Sequence, residues 1–208
     1  MNLRSRLGLL VTAAILLLFG AAVLIALPRG TAPSPSASSP TMKAGMFTPA
    51  HDAPDFSLPG SNGSPVTLAG YRGKVVLLTF GFTHCAAVCP TTLATLSQTR
   101  KLLGSEANAV QVIFVTVDPE RDSADHLRDY LAAFDPTIVG ATGSPGALAA
   151  VRAKYGVTAT KQGDGADYAF AHTSSIFLID RAGKLRAVMP FGHDPADFVH
   201  DVRLLQAG

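Results

Sequence analysis

Lys-Val-Val-Leu-Leu-Thr-Phe-Gly-Phe, residues 74–82, is the stretch of this 208-residue chain that decides its fold. A short continuous apolar run is typical of a β-strand that is buried on both faces. A second run of this kind, residues 110–117, follows a segment in which Leu93, Leu96 and Leu103 form an apolar helical stripe. The two runs therefore predict neighbouring strands in an α/β fold with a helix between them.

The elements around this unit complete the prediction. Residues 54–58 and 66–68 flank a turn-rich segment and predict a small leading hairpin, while Ser123 and Ser144-Pro145 predict the starts of two helices. Three further strands are predicted at residues 167–171, 174–179 and 185–188, before a final helix that starts at Asp194-Pro195. This order is that of a thioredoxin-like α/β sandwich, a central mixed sheet flanked by helices, with an N-terminal hairpin.

The N-terminal 46 residues have a different composition. Residues 7–27 are uncharged and mostly apolar, which is long enough to cross a hydrocarbon core of about 30 Å. Arg4 and Arg6 precede this run, so we expect a single transmembrane anchor with residues 1–6 in the cytoplasm. A cleaved signal peptide is the competing interpretation. Residues 28–46, rich in Pro, Ser and Ala, are predicted to be a flexible tether that holds a domain of residues 47–208 on the extracytoplasmic, periplasmic side of the cell inner or plasma membrane.

The net charge of +2 comes from the N-terminal segment. The first 46 residues contain four basic and no acidic residues, which leaves 13 basic against 15 acidic residues for the predicted domain. A domain with this balance has no basic patch for nucleic acid. We therefore expect no nucleic-acid partner.

The two cysteines are the first candidates for chemistry. Cys85 and Cys89 lie in Thr-His-Cys-Ala-Ala-Val-Cys-Pro, residues 83–90, directly after the first buried strand. At this spacing two thiols can hold one metal ion or form a disulfide, and the spacing alone does not choose between them. A purely structural disulfide would close a very small loop and add little stability, about 2 kcal/mol or less.

Three blocks of sequence, taken together, resemble the SCO/SenC family of membrane-tethered copper chaperones. The first block is residues 73–90, the second is Val-Thr-Val-Asp-Pro-Glu-Arg-Asp-Ser at 115–123, and the third runs from Asp167-Tyr168 through His172-Thr173 to Asp180. The blocks occur in the family's order across nearly all of residues 47–208.

The resemblance implies a copper site formed by Cys85, Cys89 and His172. Two thiolates and one imidazole suit Cu(I), and Cu(II) is the alternative. By resemblance, the protein delivers one copper ion to the dinuclear copper centre of cytochrome c oxidase subunit II and receives it from an extracytoplasmic copper donor protein. The chain departs from the family pattern at Ala86, where a proline is usual, and at Ala171, where an aspartate is usual.

Several other residues near these blocks have weaker claims. Asp118 is a candidate for tuning the copper site or facing a partner, although a turn aspartate is an equal interpretation, and Asp122 is expected to be a capping or turn residue. His84 is expected to be exposed to solvent. Met42, Met46 and His51 suggest a transient copper-passing arm in a flexible segment.

Two other functions remain open. A membrane-tethered thiol-disulfide oxidoreductase would use Cys85 and Cys89 as its catalytic pair and keep partner cysteines reduced, so whether the protein is an enzyme is undecided. The three-residue spacing and the absence of a proline before the strand at 174–179 argue against a general thioredoxin. A purely structural domain would leave the cysteines without a role.

Overall fold

A central six-stranded sheet organises the protein around the strand predicted from residues 74–82. In a computed structural model, which describes residues 41–165 and 167–207, the described residues form ten strands and four α-helices. The strands are β1 Gly45–Asp52, β2 Ser57–Pro59, β3 Pro65–Thr67, β4 Val75–Gly81, β5 Val110–Thr116, β6 Val139–Ala141, β7 Ala159–Gln162, β8 Ala169–His172, β9 Ile176–Ile179 and β10 Lys184–Met189. The helices are α1 Val88–Leu103, α2 Ala124–Ala132, α3 Pro145–Lys154 and α4 Pro195–Ala207, and short 3₁₀ turns occupy Ala69–Tyr71 and Gly104–Ala109.

The sheet is mixed, with the strand order β1-β10-β9-β4-β5-β6. Strands β4, β5 and β6 are parallel, whereas β9, β10 and β1 are antiparallel to their neighbours. Helix α1 packs against α4, and α2 packs against β6. The predicted central mixed sheet flanked by helices is therefore confirmed, and β2 and β3 form the predicted leading hairpin.

The two central strands bring their carboxyl ends to one edge of the sheet. All residues of β4 and β5 are buried, and their parallel register runs from Val75 opposite Val110 to Gly81 opposite Thr116. The pairing continues one step beyond the strands, where the backbone N–H of Val117 donates to the carbonyl of Gly81 at 2.8 Å. The loop after β4, which carries the cysteines, therefore lies beside the loop after β5.

The predicted helix starts agree with the side-chain caps. Ser123 accepts a hydrogen bond from the backbone N–H of His126, and Ser144 accepts one from Ala147. The apolar positions predicted for the last helix, among them Phe198 and Val202, are buried. Helix α1 begins at Val88, two residues before Pro90, so Cys89 already lies in its first turn.

Strand β1 corrects the predicted boundary between tether and domain. Its first residues, Gly45 and Met46, pair with β10, and Ala44 is buried in the core. A composition of small and polar residues favours a tether, but backbone pairing with β10 orders this segment without needing large side chains. Met46 and His51 both lie on this strand, and Met42 packs against the core, so these residues belong to the folded domain and the idea of a flexible copper-passing arm is wrong.

Two short strands were missed in the sequence. Strand β6 has three residues, and β7 is mostly exposed, so neither shows a periodic apolar pattern. Among residues 41–165 and 167–207, no helix is both long enough and apolar enough to cross a membrane. The predicted anchor at residues 7–27 lies outside these described residues.

Candidate metal centre

Cys85 lies in the loop between β4 and α1, where its sulfur faces the start of the helix. The N-cap residue of α1 is Ala87, whose side chain accepts no hydrogen bond. The backbone N–H of Cys89 instead points at Sγ of Cys85, with a nitrogen–sulfur distance of 3.5 Å. The Cys85 sulfur therefore takes the place of the missing capping side chain, at the end of the helix where the backbone dipoles favour negative charge.

The two thiols have opposite acid–base properties. Burial of the half-buried Cys85 opposes its ionisation, but hydrogen bonds from the backbone N–H groups of Cys89, Ala87 and Val88 and from the Cys89 thiol outweigh this and lower the pKa of Cys85. Burial raises the pKa of Cys89 to about 12, and the neighbouring Cys85 and Asp122 act in the same direction. Both cysteines are free thiols. Without a metal, Cys85 is therefore the more readily ionised thiol of the pair.

His172 lies at the end of β8, and the fold brings it to the cysteines across 83 positions of sequence. Its Nε2 atom is 3.6 Å from Sγ of Cys89. Its Nδ1 atom is 2.9 Å from the carbonyl oxygen of Thr173, which can only accept, so Nδ1 carries the proton and Nε2 presents its lone pair. An imidazole held in this tautomer is ready to act as a metal ligand through Nε2.

Aromatic rings and a glycine shape the space around the sulfur of Cys89. A Cβ atom on Gly81 would lie 2.8 Å from this sulfur and 2.7 Å from the ring of Phe114. The ring of Phe82 meets that of His172 edge to face, with a centroid distance of 5.9 Å. The absence of a side chain at position 81 is therefore what allows the buried thiol to sit against the end of β4.

Asp118 is not a candidate metal ligand, and its side chain hydrogen-bonds Arg121 and Tyr168 instead. This buried carboxylate accepts hydrogen bonds from Nε of Arg121 at 2.6 Å and from the hydroxyl of Tyr168 at 2.7 Å. Tyr168 precedes β8, and its ring lies between the guanidinium of Arg121 and the ammonium of Lys161, 3.7 Å and 3.6 Å from the ring centroid. These contacts fasten the β7–β8 hairpin, and with it His172, to the loop after β5.

Asp122 is more than the expected capping or turn residue. It is fully buried, and its carboxylate accepts hydrogen bonds from the hydroxyl of Thr116 at 2.6 Å and from both the hydroxyl and the backbone N–H of Thr83, at 2.6 Å and 3.1 Å. It therefore ties the cysteine loop to the end of β5, while the adjacent Ser123 caps α2. His84 is exposed, as expected.

Comparison with known proteins agrees with this architecture. The family model described as SCO1/SenC matches residues 46–206. The chain belongs to the SCO1/SenC family. Its central mixed sheet and flanking helices match the thioredoxin-like structures solved for Sco proteins.

Three members of the SCO1/SenC family illustrate the similarity. The mitochondrial SCO2 homolog of Mus musculus is 38% identical over 133 residues, which are 62% of this chain and 52% of that protein. The copper-bound ScoI structure from Bradyrhizobium japonicum is 36% identical, with a TM-score of 0.69, covering 75% of this chain and 99% of the other. BsSco, described as having a disulfide switch and as a member of the Sco family of cytochrome c oxidase assembly proteins, is 26% identical with a TM-score of 0.63, covering 76% and 94%. The chain spans about half the length of the curated relatives it matches.

The two departures from the family pattern lie on the surface of the site. Ala86 and Ala171 are both exposed. Neither residue is itself a candidate ligand, so the set Cys85, Cys89 and His172 is unchanged by these departures.

Two residues that shape the site were missed in the sequence. Gly81 interrupts an otherwise apolar strand, and a glycine in such a position is a known sign of close approach by another group. Tyr168 lies in the third block, but its pairing with Asp118 spans 50 positions and depends on the fold. The role of Gly81 could therefore have been predicted from its place in an apolar strand, whereas nothing in the sequence near Tyr168 indicated its contact with Asp118.

Proposed function

We propose that this protein is a copper chaperone that binds one copper ion through Cys85, Cys89 and His172. The observation that carries the proposal is the distance of 3.6 Å between Nε2 of His172 and Sγ of Cys89, with the Cys85 sulfur at the N–H of Cys89. Two sulfurs and an imidazole that presents its lone pair form a soft three-ligand set, which favours Cu(I) over the harder Cu(II). The copper-bound ScoI structure supports copper as the cargo.

The recipient in this proposal is the dinuclear copper centre of cytochrome c oxidase subunit II. The description of BsSco as a member of a family of cytochrome c oxidase assembly proteins supports an oxidase partner. Residues 7–27 would anchor the chain in the membrane, with the domain on the extracytoplasmic side, where an extracytoplasmic copper donor protein would load it. Half-buried Cys85 gives an incoming partner thiol access to the metal, while buried Cys89 retains it.

The direct test is an anaerobic titration of the reduced full-length chain with Cu(I) against a chromophoric chelator. We expect one tight site per chain, lost in Cys85→Ser and in Cys89→Ser. His172→Ala should weaken Cu(I) binding by at least about 10-fold. Mutating a residue that merely hydrogen-bonds a metal ligand already costs about 10-fold to 100-fold in affinity, so loss of a ligand should cost no less. His193→Ala, which removes a histidine paired with Asp197 outside the site, is the matched control and should bind as the wild type does. Unchanged binding by Cys89→Ser would refute the shared site.

A thiol-disulfide oxidoreductase is the second candidate function. The observation that favours it is the asymmetry of the thiols, because an attacking cysteine of lowered pKa and a buried resolving cysteine are what disulfide exchange needs. In that reaction the Cys85 thiolate attacks a partner's disulfide and releases one partner thiolate. Cys89 then displaces the second partner thiol, leaving both partner cysteines reduced and Cys85 and Cys89 joined as a disulfide.

A disulfide-exchange assay with the metal-free chain separates the two functions. A reductase should reduce a disulfide-bonded peptide carrying the copper-binding segment of the oxidase subunit in stoichiometric amounts, and Cys89→Ser should stop at a mixed disulfide. A chaperone alone should transfer Cu(I) to the already reduced peptide and leave the oxidised peptide unchanged.

A further inference from the structure

A second cluster of metal-ligating side chains lies next to the thiol site, and none of its members is a candidate ligand of that site. His84 comes from the loop between β4 and α1, Asp122 from the loop after β5, and His126 from the first turn of α2. Within the described residues, one ligand atom from each of the three lies within 4.8 Å of the others. The two histidine rings are 6.1 Å apart between centroids and tilted by 36°. Three separate segments of chain therefore converge on one point.

The carboxylate of Asp122 is held rigidly in this cluster. It is fully buried, and its hydrogen bonds from the Thr116 hydroxyl and from the backbone N–H and hydroxyl of Thr83 fix both oxygens. All three donors are neutral groups. A cation bound at Asp122 would add the positive charge that these donors lack.

The hydroxyl of Thr83 lies at the centre of the cluster. It donates its proton to Oδ1 of Asp122 at 2.6 Å and lies 3.0 Å from Nδ1 of His84 and 3.1 Å from Nε2 of His126. Because the single hydroxyl proton goes to Asp122, the two ring nitrogens must donate to the hydroxyl oxygen in the metal-free protein. Both imidazoles are thus already turned inward by a small polar group at the position where an ion would be.

We propose that His84, Asp122 and His126 form a second metal site, for a borderline divalent cation such as Zn²⁺ or Cu²⁺. Two imidazoles and one carboxylate suit these ions, whereas Cu(I) prefers the sulfurs of Cys85 and Cys89. Bonds of about 2.0–2.2 Å to a tetrahedral ion place ligand atoms about 3.4 Å apart, so the cluster has to contract by up to about 1.4 Å. Both histidine side chains are exposed and can make this movement, while the buried carboxylate stays in place.

Besides this contraction, binding needs a shift of tautomer in the two rings and a movement of the Thr83 hydroxyl away from the position that the ion takes. Each neutral imidazole moves its proton to its outer nitrogen and presents the inner lone pair to the ion, and the Thr83 hydroxyl keeps its hydrogen bond to Asp122 or becomes a ligand. Three protein ligands leave a fourth position of a tetrahedral ion free, on the exposed side of the cluster. Water or a donor atom from a partner protein would occupy that position.

The test uses a tag-free full-length chain in which Cys85→Ser and Cys89→Ser remove the thiol site, so its outcome is independent of the copper-chaperone function. Zn²⁺ is titrated against a chromophoric chelator, and Cu²⁺ binding is followed by electron paramagnetic resonance. We expect one Zn²⁺ per chain and a Cu²⁺ spectrum with hyperfine coupling to two imidazole nitrogens. Adding His84→Gln and His126→Gln should lower Zn²⁺ affinity at least about 100-fold and abolish the nitrogen coupling.

The matched control is the pair His193→Gln and His200→Gln in the same background, since these histidines pair with Asp197 and Asp201 elsewhere. The control chain should bind Zn²⁺ and Cu²⁺ unchanged. Circular dichroism verifies folding of every variant. His84 and His126 are the positions substituted because both side chains are exposed, whereas Asp122→Asn would disturb a buried hydrogen-bond network. Equal affinity in the His84→Gln/His126→Gln chain, or an equal loss in the control, would overturn the proposal.

Discussion

At the scale of single residues, the two thiols of the proposed copper site differ in how readily they ionise before any metal arrives. Cys85 receives N–H groups from the first turn of α1, which lower its pKa despite burial, whereas burial raises the pKa of Cys89 to about 12. As pH rises, Cys85 therefore ionises first, below the range of an unperturbed thiol, and Cys89 stays protonated well above it. A pH range therefore exists in which Cys85 is a thiolate and Cys89 is still a thiol.

We therefore expect iodoacetamide to modify Cys85 much faster than Cys89 in the reduced, metal-free protein at neutral pH. The rate should follow a single titration with a midpoint below that of cysteine in an unstructured peptide, measured by mass spectrometry of quenched samples from pH 6 to 10. Cys89→Ser should keep this fast reaction, and Cys85→Ser should leave only a slow one. Faster modification of Cys89 would show that the helix N-terminus does not select Cys85.

Gly81 sets the position of the Cys89 sulfur from the strand side. A methyl group at position 81 would lie 2.8 Å from that sulfur and 2.7 Å from Phe114, neither of which can move freely in the core. Gly81→Ala should cost about 1–3 kcal/mol in free energy of unfolding and also weaken Cu(I) binding, as measured by urea unfolding and chelator competition. Gly146→Ala in α3, where the added methyl meets nothing within 4 Å, should be neutral or stabilising by up to about 1 kcal/mol. Equal effects of the two substitutions would contradict this account.

At the scale of elements, the β7–β8 hairpin decides whether the site has a third ligand. Among residues 159–165 and 167–172 it forms a separate two-stranded sheet, so side-chain contacts help to hold His172 beside the cysteines. The hydroxyl of Tyr168 donates its one proton to Asp118 at 2.7 Å, and a carboxylate oxygen of Glu120 lies 3.1 Å away. Asp118 thus helps to position His172 indirectly, by holding Tyr168 at the start of the segment that ends in His172.

Tyr168→Phe should therefore loosen the hairpin while keeping the ring between Arg121 and Lys161. We expect a loss of about 1.5–3 kcal/mol in stability, faster amide hydrogen exchange in β8 and about 10-fold weaker Cu(I) binding. The matched control is Tyr130→Phe, because the Tyr130 hydroxyl is buried without a hydrogen-bond partner within the described residues, so its removal should be neutral or stabilising. Exchange in β8 that stays as slow as in the wild type would show that other contacts hold His172.

The elements that the sequence predicted share one property, a pattern that is local in the chain. The runs that became β4 and β5 and the serine caps at Ser123 and Ser144 are visible within ten residues. Strand β1 and the contacts of Tyr168 depend on partners that are distant in sequence, namely β10 and Asp118. The candidate ligand His172 was identified by resemblance alone, because nothing within its own segment distinguishes it from any other histidine.

At the scale of the whole molecule, the start of the domain is fastened to its end. The buried carboxylate of Asp201 in α4 accepts hydrogen bonds from the backbone N–H groups of Lys43 and Ala44, at 2.7 Å and 2.8 Å. This contact holds the chain just before β1 against the last helix of the domain.

We expect Asp201→Asn to destabilise the protein by about 1.5–3 kcal/mol, because the amide can accept at one oxygen only and turns a donor toward a backbone N–H. Urea unfolding followed by far-ultraviolet circular dichroism measures the loss, and limited proteolysis should show new cleavage between residues 41 and 52. Asp197→Asn, on the same helix as Asp201, removes a partly exposed carboxylate that contacts Nδ1 of His193, and it should cost less than about 1 kcal/mol and leave this segment protected. Cu(I) affinity depends on Cys85, Cys89 and His172 in this proposal, so it should be unchanged in both variants. A loss of copper binding in Asp201→Asn would instead mean that disorder in β1 is transmitted to the metal centre through β10 and β9.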